Sequence, residues 1–386
     1  MTDMIFPIDK FKERKTPFYY YDTRLLNATL DAIERELDGF DNFNIHYAVK
    51  ANANPDILAI IANRGFGADC VSGEEIDAAV AAGIARSKIV FAGVGKTDDE
   101  INKGLDYDIA CFNVESLEEL AVIDELSGLK GKKANVAIRF NPDIKANTIE
   151  QISTGRKENK FGISVDLIDS VADALKHCEN IAFKGIHIHI GSQILEMGDF
   201  IKLAATMNGL AGRLTARGLD VESINVGGGL GIDYHNPDEA LIPDFKSYFD
   251  VFKRYLNLSD GQTVHFELGR SVVAQCGSLI SRVVYVKQGC GKKFVILDAG
   301  MNDLVRPAMY KAYHAIDNLT SDGNKEAYDV VGPVCESSDV FAKDMMLNAA
   351  VRGDLVAIRS AGAYGEVMSS NYNLRPYAQR YTDLTV

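Results

Sequence analysis

Ile45-His46-Tyr47-Ala48-Val49-Lys50 is a short apolar run that ends on a lysine, a pattern typical of a buried β-strand. Seven further runs rich in β-branched or aromatic residues follow, with helical patterns between them. They span residues 67–71, 89–92, 109–114, 136–140, 185–190, 224–226 and 264–267. Each helical stretch is long enough to connect two parallel strands, so eight such units predict an α/β fold, a (β/α)8 TIM-like barrel.

The pattern changes after Arg270 to strands without helices between them. We predict these strands at residues 272–276, 279–286, 293–297, 328–331 and 354–358. The sequence therefore predicts a barrel over residues 25–265 and a mostly β C-terminal domain over residues 266–386. The leader, residues 1–24, contains the strand-like run Pro17-Phe18-Tyr19-Tyr20-Tyr21, and we expect it to pack on the β domain.

Composition limits the kinds of partner. The chain has 386 residues, 47% hydrophobic content and a formal net charge of -13, so it can bury two cores but offers no excess of basic residues to phosphates. We expect a small-molecule substrate, with no nucleic acid and no membrane as partner. The sequence has no stretch of about 18 apolar residues and no secretory leader pattern, which favours a cytoplasmic protein. Its six cysteines are dispersed without a Cys-x-x-Cys pair, which predicts reduced thiols.

Lys50 is the first candidate for chemistry. A lysine desolvated at a strand end inside a barrel loses part of the stabilisation of its ammonium form and becomes available as an amine nucleophile that can form a Schiff base. The alternative is a lysine that extends from a strand terminus to water and has no chemical role.

A glycine cluster, Gly227-Gly228-Gly229-Leu230-Gly231, follows the seventh predicted strand. Backbone amides in such a loop can approach a phosphate, and barrels commonly bind phosphate after strands seven and eight. The eighth strand ends in Glu267-Leu268-Gly269-Arg270, which predicts a carboxylate and a guanidinium on the same rim. The alternative is a set of turn glycines needed only for backbone geometry.

Two histidines, His187 and His189, lie on one face of the sixth predicted strand because side chains alternate along a strand. A zinc site would need a third ligand, for which the sequence has no companion motif, so we expect no metal. We expect His189 to stack on a planar cofactor and His187 to be a hydrogen-bonded core residue.

The C-terminal domain contains two polar segments among apolar strands, residues 298–310 and 332–339. Arg306 in the first could bind a carboxylate, and Cys335 with Glu336 in the second could supply a proton donor and a cation-binding carboxylate. Surface salt bridges and an inert thiol are the alternative.

Together these motifs resemble those of the diaminopimelate decarboxylase family, within the alanine-racemase-like, fold type III decarboxylases that use pyridoxal 5'-phosphate. The resemblance spans nearly the whole chain. The motifs that occur in the family's order are Tyr47-Ala48-Val49-Lys50-Ala51-Asn52, His189-Ile190-Gly191-Ser192-Gln193, Gly227-Gly228-Gly229-Leu230-Gly231-Ile232, Glu267-Leu268-Gly269-Arg270, Gly332-Pro333-Val334-Cys335-Glu336-Ser337 and Met368-Ser369-Ser370-Asn371-Tyr372-Asn373. Leu268 departs from the pattern, because that position is usually proline, and this affects the stiffness of the turn.

The resemblance implies a role for each matching residue. Lys50 would hold the cofactor as a Schiff base, His189 would stack on its ring, and Glu267 would keep its pyridine nitrogen protonated. The residues implied around the phosphate are Ser192, Gly229, Gly269, Arg270 and Tyr364. The residues implied at the substrate are Arg270, Arg306, Tyr310, Glu336 and Tyr364. Arg306 and Tyr310 would bind its distal carboxylate, while Cys335 and Glu336 would come from the partner subunit of a homodimer.

The implied reaction is decarboxylation of meso-diaminopimelate to L-lysine and carbon dioxide, the last step of lysine biosynthesis, with Cys335 returning a proton to the reacting carbon. One alternative is a decarboxylase of the same fold that acts on ornithine, arginine or carboxynorspermidine, since several motifs are shared. Another is a catalytically silent regulatory homologue. The polar segment at residues 147–160 is long for a β-α connection, and we expect it to act as a lid.

Overall fold

The computed structural model describes residues 4–142 and 160–385. The chain divides into two compact units. The barrel unit comprises Leu30–Gly231 and Asp244–Gly269, and the β unit comprises Met1–Thr29, Ile232–Pro243 and Arg270–Val386. The segment expected to form a lid, residues 147–160, lies outside the described residues except for Lys160.

The strands are numbered in chain order. They are β1 (Phe18–Tyr21), β2 (Phe43–Ala48), β3 (Gly67–Cys70), β4 (Ile89–Phe91), β5 (Cys111–Val114), β6 (Ala134–Asn141), β7 (Ile163–Ser164), β8 (Ile181–His187), β9 (Ser223–Asn225), β10 (Thr263–Leu268), β11 (Gly277–Gln288), β12 (Lys293–Leu297), β13 (Ile316–Asn318), β14 (Lys325–Val331), β15 (Val340–Asn348), β16 (Leu355–Ile358) and β17 (Gln379–Thr382).

The helices are numbered in the same way. They are α1 (Ile8–Lys12), α2 (Thr23–Leu37), α3 (Pro55–Asn63), α4 (Gly73–Ala81), α5 (Asp98–Tyr107), α6 (Leu117–Leu129), α7 (Ile168–His177), α8 (Met197–Ala216), α9 (Phe245–Tyr255), α10 (Arg270–Val273) and α11 (Arg306–Tyr310). No helix among the residues described here has the length and apolar character needed to cross a membrane.

Parallel strands close into a barrel in the barrel unit. In the described part of the chain, eight strands follow the order β5-β4-β3-β2-β10-β9-β8-β6, and β6 pairs with β5 to complete the ring. The predicted (β/α)8 barrel is confirmed, and each of its eight strands overlaps a predicted run. The carboxyl ends of parallel strands lie on one rim, which is where barrels place reactive side chains.

Aromatic packing between α9 and β10 fixes the strand that carries Glu267. The rings of Tyr248, Phe249 and Phe252 lie 5.8, 5.0 and 5.3 Å from that of Phe266, all in edge-to-face arrangements. All four side chains are buried. Each contributes about 1.5–3 kcal/mol by leaving water, and this anchors β10 against the outer helix.

The β unit is built on a mostly antiparallel sheet. Its strand order is β13-β16-β11-β12-β14-β15, and β1 from the leader pairs with both β11 and β17. The predicted mostly β domain is confirmed. The strand predicted at residues 272–276 is wrong, because Arg270–Val273 forms a helical turn whose Arg270 carbonyl accepts from the Ala274 amide at 3.0 Å. A short apolar run does not distinguish a buried helical turn from a strand.

Candidate active site

Lys50 lies in a short 3₁₀ turn, Val49–Ala51, directly after β2. The Tyr47 hydroxyl donates to the Asn52 carbonyl at 2.9 Å and fixes this turn. The Lys50 side chain is 35% exposed, and its Nζ donates to Oδ2 of Asp69 on β3, whose side chain is fully buried. Burial, together with the charge of Glu267, raises the pKa of Asp69 while Lys50 opposes the shift. The lysine amine therefore lies beside a carboxyl group that can exchange a proton with it.

Glu267 on β10 lies inside the barrel with both carboxyl oxygens close to polar side chains. Its Oε1 accepts from the amide of Asn113 at 3.0 Å and from that of Asn225 at 2.8 Å. Its Oε2 lies 3.2 Å from Nε2 of His187, without the alignment of a hydrogen bond. Burial alone would raise the pKa of Glu267, but the nearby His187 and Lys50 hold it well below its usual value. The carboxyl group is therefore ionised in the barrel interior.

His189 follows β8 and is held by the glycine-rich loop. The backbone amide of Gly228 donates to its Nδ1 at 3.1 Å. Burial, with the nearby charges of Arg139 and Lys50, lowers the pKa of His189 to about 3. The ring is therefore neutral and oriented by the backbone. No group of three or more His, Cys, Asp or Glu side chains among the described residues is arranged to hold a metal ion.

The glycine-rich loop after β9 packs too closely for side chains. A Cβ on Gly228 would lie 1.9 Å from the Glu267 carbonyl oxygen, and one on Gly229, at φ +110°, would lie 2.6 Å from the Gly191 carbonyl oxygen. Gly269 is similarly confined, since its Cβ would lie 3.0 Å from both the Ala48 and Ala51 methyl groups. Ser192 follows Gly191 in the loop after β8. The predicted candidates Lys50, His189, Ser192, Gly229, Glu267 and Gly269 all belong to the barrel unit.

The β unit contains a buried pair of arginines, Arg270 and Arg306, which are 5% and 6% exposed. The guanidinium carbon of Arg270 lies 4.9 Å from the centre of the Tyr364 ring. Nη1 of Arg306 contacts the Tyr234 hydroxyl at 2.8 Å and Nε2 of His314 at 3.1 Å. Both partners are uncharged hydrogen-bond acceptors, and no ion pair to Arg306 occurs within the described residues.

The tautomer of His314 follows from its two partners. Arginine can only donate, so Nε2 accepts from Arg306, and Nδ1 therefore carries the hydrogen that binds the Arg359 carbonyl at 2.8 Å. Burial, with the charge of Arg306, lowers the pKa of His314 to about 3. A protonated ring could not accept from Arg306, so this contact requires the neutral form.

His314→Asn should therefore reduce the loss of stability in acid. The folded-state pKa lies below the unfolded value of about 6.5, so His314 contributes stability that is present above pH ~6.5 and is lost as the pH falls towards about 3. Between pH 8 and 4.5 the wild type should lose about 2–3 kcal/mol of unfolding free energy relative to the variant. Urea titrations at both pH values measure this. A difference between the two proteins that does not change with pH would contradict a buried neutral ring.

Cys335 and Glu336 are exposed on a loop of the β unit whose base is buried. Two backbone amides, of Val334 and Met301, donate to the Asp339 carboxylate at 2.7 Å each. Segment 369–375 holds the tip: the Cys335 amide donates to Oδ1 of Asn373 at 3.1 Å, and the Tyr372 hydroxyl donates to Oε1 of Glu336 at 2.6 Å. Tyr310, half-buried, ends helix α11, which begins at Arg306.

The sequence interpretation missed several polar residues that contact the predicted site residues. Asp69, Asn113 and Asn225 are single polar residues inside apolar strand runs, and a buried polar residue in such a run is a signal that could have identified them. Their shared neighbourhood is visible only in the closed barrel. Tyr234 has no comparable signal, since its segment has no strand or helix pattern.

Comparison with known proteins places these features in a family. The family model "Pyridoxal-dependent decarboxylase, pyridoxal binding domain" matches residues 24–274. The diaminopimelate decarboxylase of Bacteroides thetaiotaomicron is 61% identical over 378 residues, covering 98% of each chain.

Solved structures agree with this result. Diaminopimelate decarboxylase from Helicobacter pylori, complexed with L-lysine, matches with a TM-score of 0.91 and 40% identity over 97% of this chain and 93% of that one. The enzyme from M. jannaschii, also in complex with L-lysine, matches with a TM-score of 0.90 and 35% identity over 98% and 90% of the two chains. The resemblance inferred from the motifs is thus confirmed, and the chain belongs to the diaminopimelate decarboxylase family of pyridoxal-dependent decarboxylases.

Proposed function

We propose that this chain decarboxylates meso-diaminopimelate to L-lysine and carbon dioxide with pyridoxal 5'-phosphate, as the last step of lysine biosynthesis. The observation that carries the choice of substrate is Arg306. A buried guanidinium usually has a carboxylate partner, yet the described partners of Arg306 are a tyrosine hydroxyl and a neutral imidazole. An anionic group of the substrate can complete this arrangement.

The side chains of the barrel unit fit the cofactor by their chemistry. The ring nitrogen needs an anionic acceptor, which the ionised Glu267 provides with Oε1 already held by two amides. The aldehyde needs an amine, and Lys50 lies in the turn at the rim end of β2. The phosphate needs backbone donors in a loop free of side chains, and Gly229 lies in such a loop.

The roles proposed for the remaining residues follow from their donors and rings. Ser192, Gly269, Arg270 and Tyr364 would bind the phosphate together with Gly229. His189, which is neutral, would stack on the ring without adding a charge. Pyridoxal phosphate, when bound, supplies an aldehyde that joins amines and a ring that accepts the electron pair left as carbon dioxide departs. Glu267, as an anion, keeps the ring nitrogen protonated and so favours that acceptance.

Proton transfer and product release require two further groups. The carbon that loses its carboxylate must take up a proton, and we assign Sγ of Cys335 as the donor because its thiol is exposed at a loop tip that two hydrogen bonds hold. Lys50 would hold the cofactor and would supply the amine that releases the product. Asp69, hydrogen-bonded to Nζ, is placed to take a proton from the lysine, which must be neutral to act as a nucleophile.

Substrate selection rests on the distal end of the molecule. That end of diaminopimelate carries both a carboxylate and an ammonium group, which suit Arg306 with Tyr310 and Glu336, respectively. Arg270 and Tyr364 would also contact the substrate. Ornithine, arginine and carboxynorspermidine present a cationic end without that carboxylate, and a cation beside Arg306 would be repelled.

We also propose a homodimer in which Cys335 and Glu336 serve the partner's site. Exposed apolar side chains lie near this loop, namely Tyr313 and Met346, which are 38% and 53% exposed. They border a groove of about 840 Å³ that also includes Ser337 and Ser338, next to Glu336. Apolar surface of this kind is what a second copy would cover.

We propose that the enzyme acts in the cytoplasm. All six cysteines are free thiols in the structure, and this suits a reducing compartment. Fractionation of the source cells, with activity recovered outside the soluble cytoplasmic fraction, would contradict this location.

The test of the function is a substrate panel. The purified protein, loaded with pyridoxal phosphate, should release carbon dioxide and L-lysine in equal amounts from meso-diaminopimelate. Activity on ornithine, arginine, lysine and carboxynorspermidine should be lower by at least ~10³-fold in kcat/KM, as expected for a charge mismatch in a buried site. Faster turnover of any of these four amines would replace the proposed substrate, and absence of all decarboxylation would favour a silent homologue.

A further inference from the structure

Tyr234 connects the two buried arginines of the β unit. Its hydroxyl oxygen accepts from Nη1 of Arg270 at 2.6 Å and from Nη1 of Arg306 at 2.8 Å. The residue is 8% exposed, and its ring packs edge-on against His314 with centroids 5.2 Å apart. Burial would raise the pKa of Tyr234, but the two guanidinium groups lower it, in keeping with an oxygen that serves as a shared acceptor.

Among the residues described, the side-chain hydrogen bonds of Arg306 all lie on one side of its guanidinium group, whose central carbon lies 4.9 Å from the centre of the Tyr234 ring. In the described part of the chain, both side-chain acceptors, Tyr234 and His314, bind Nη1, so both hydrogens of that nitrogen are used. The Nε and Nη2 edge is then the edge that can offer two parallel N–H groups to a carboxylate. One hydroxyl and one imidazole therefore determine which edge of Arg306 a ligand meets.

The uncharged nature of these partners has a second consequence. An aspartate or glutamate at the position of Tyr234 would hold Arg306 equally well but would neutralise its charge. A substrate carboxylate would then gain little binding free energy from Arg306. A tyrosine orients the cation without providing a full opposing charge. The edge remains attractive to an anion.

We propose that Tyr234 is a positioning residue for substrate recognition, acting through Arg306. Its hydroxyl holds the guanidinium so that the Nε and Nη2 edge receives the distal carboxylate. Because the same oxygen accepts from Arg270, it also sets the spacing between the arginine assigned to the phosphate and the arginine assigned to the substrate. This inference rests on the proposed function and deepens it.

Tyr234→Phe tests the role, because it removes one oxygen and keeps the ring. We expect KM for meso-diaminopimelate to rise about tenfold with kcat changed less than about threefold, the pattern of lost binding in a hydrogen bond to a charged group. Binding to the holoenzyme gives a second readout. L-lysine retains the α-carboxylate that Arg306 would bind, whereas 1,5-diaminopentane lacks it. The variant should bind L-lysine about tenfold more weakly and 1,5-diaminopentane as the wild type does.

Tyr248→Phe is the matched control. Tyr248 is also buried, but its hydroxyl has no hydrogen-bond partner among the residues that the structure describes, so its removal should leave both affinities unchanged. Wild-type KM in Tyr234→Phe, or an equal loss of affinity for both amines, would overturn the proposal. Failure of the proposed function would appear separately, as absence of carbon dioxide release by the wild type. In that case, calorimetric measurement of the binding of the two amines would still test the role of Tyr234.

Discussion

Lys50→Ala should abolish turnover, by at least ~10⁴-fold in kcat, while the protein stays folded. The reactive amine is lost, but Lys50 lies in a turn after β2, its side chain is 35% exposed, and the apolar face of the strand is unchanged. Release of carbon dioxide measures turnover. Absorbance at roughly 410–430 nm, expected for a lysine-bound cofactor, should be absent from the variant. Lys287→Ala, at an exposed position on β11, is the control and should keep full activity.

An experiment that mixes two inactive variants distinguishes loss of catalysis from loss of folding. Lys50→Ala and Cys335→Ala subunits, each expected to be inactive alone, should regain about a quarter of wild-type activity after exchange, because in the proposed homodimer half of the dimers would be mixed and one of their two sites would be intact. Recovery of activity requires that the Lys50→Ala subunit is folded. Steady turnover by Lys50→Ala alone would refute its role, and mixtures without activity would argue against shared sites.

Arg306→Ala should lower kcat/KM for meso-diaminopimelate by at least ~10³-fold. The difference in kcat/KM between meso-diaminopimelate and lysine or ornithine should therefore become smaller. The variant removes the cation proposed to bind the distal carboxylate. It should fold, because the two described side-chain partners of Arg306, Tyr234 and His314, are uncharged and lose no ion pair. Steady-state kinetics on the three substrates measure the effect.

Arg306→Lys is the informative companion variant. It keeps the charge but loses the planar fork, so its kcat/KM should lie between those of the wild type and Arg306→Ala. Comparable kcat/KM values for diaminopimelate in the wild type and in Arg306→Ala would show that another residue binds the distal carboxylate.

Local sequence patterns were sufficient for the barrel because the evidence for each strand lies within a few residues. Short runs rich in β-branched or aromatic residues, and the helical stretches between them, predicted all eight barrel strands. The same local evidence failed at residues 272–276, where an apolar run forms the helical turn Arg270–Val273. The unit boundaries also have no local signal, since Ile232–Pro243 clusters with the β unit although it follows a barrel strand.

In the candidate site, too, local motifs were recognisable from the sequence and contacts between distant residues were not. Lys50, Glu267, the glycine-rich loop and the Cys335-Glu336 pair became candidates from the sequence because each belongs to a short motif, and the order of these motifs resembles that of a known family. The hydrogen bonds that tune them join distant positions. Asn113 and Asn225 reach Glu267 across 154 and 42 residues, and Tyr234 reaches Arg306 across 72.

By itself, therefore, the sequence determined the strand-and-helix order, because this depends on local periodicity, and its resemblance to a known family indicated the type of cofactor chemistry and the candidate reactive side chains. Only the tertiary structure decided that Asp69 accompanies Lys50, that two amides hold Glu267 and that one tyrosine joins two arginines. The physical reason is that hydrogen-bond partners are set by distance in space. Folding of the barrel and of the β sheet brings together residues that are far apart along the chain, and the local sequence around each residue does not indicate these contacts.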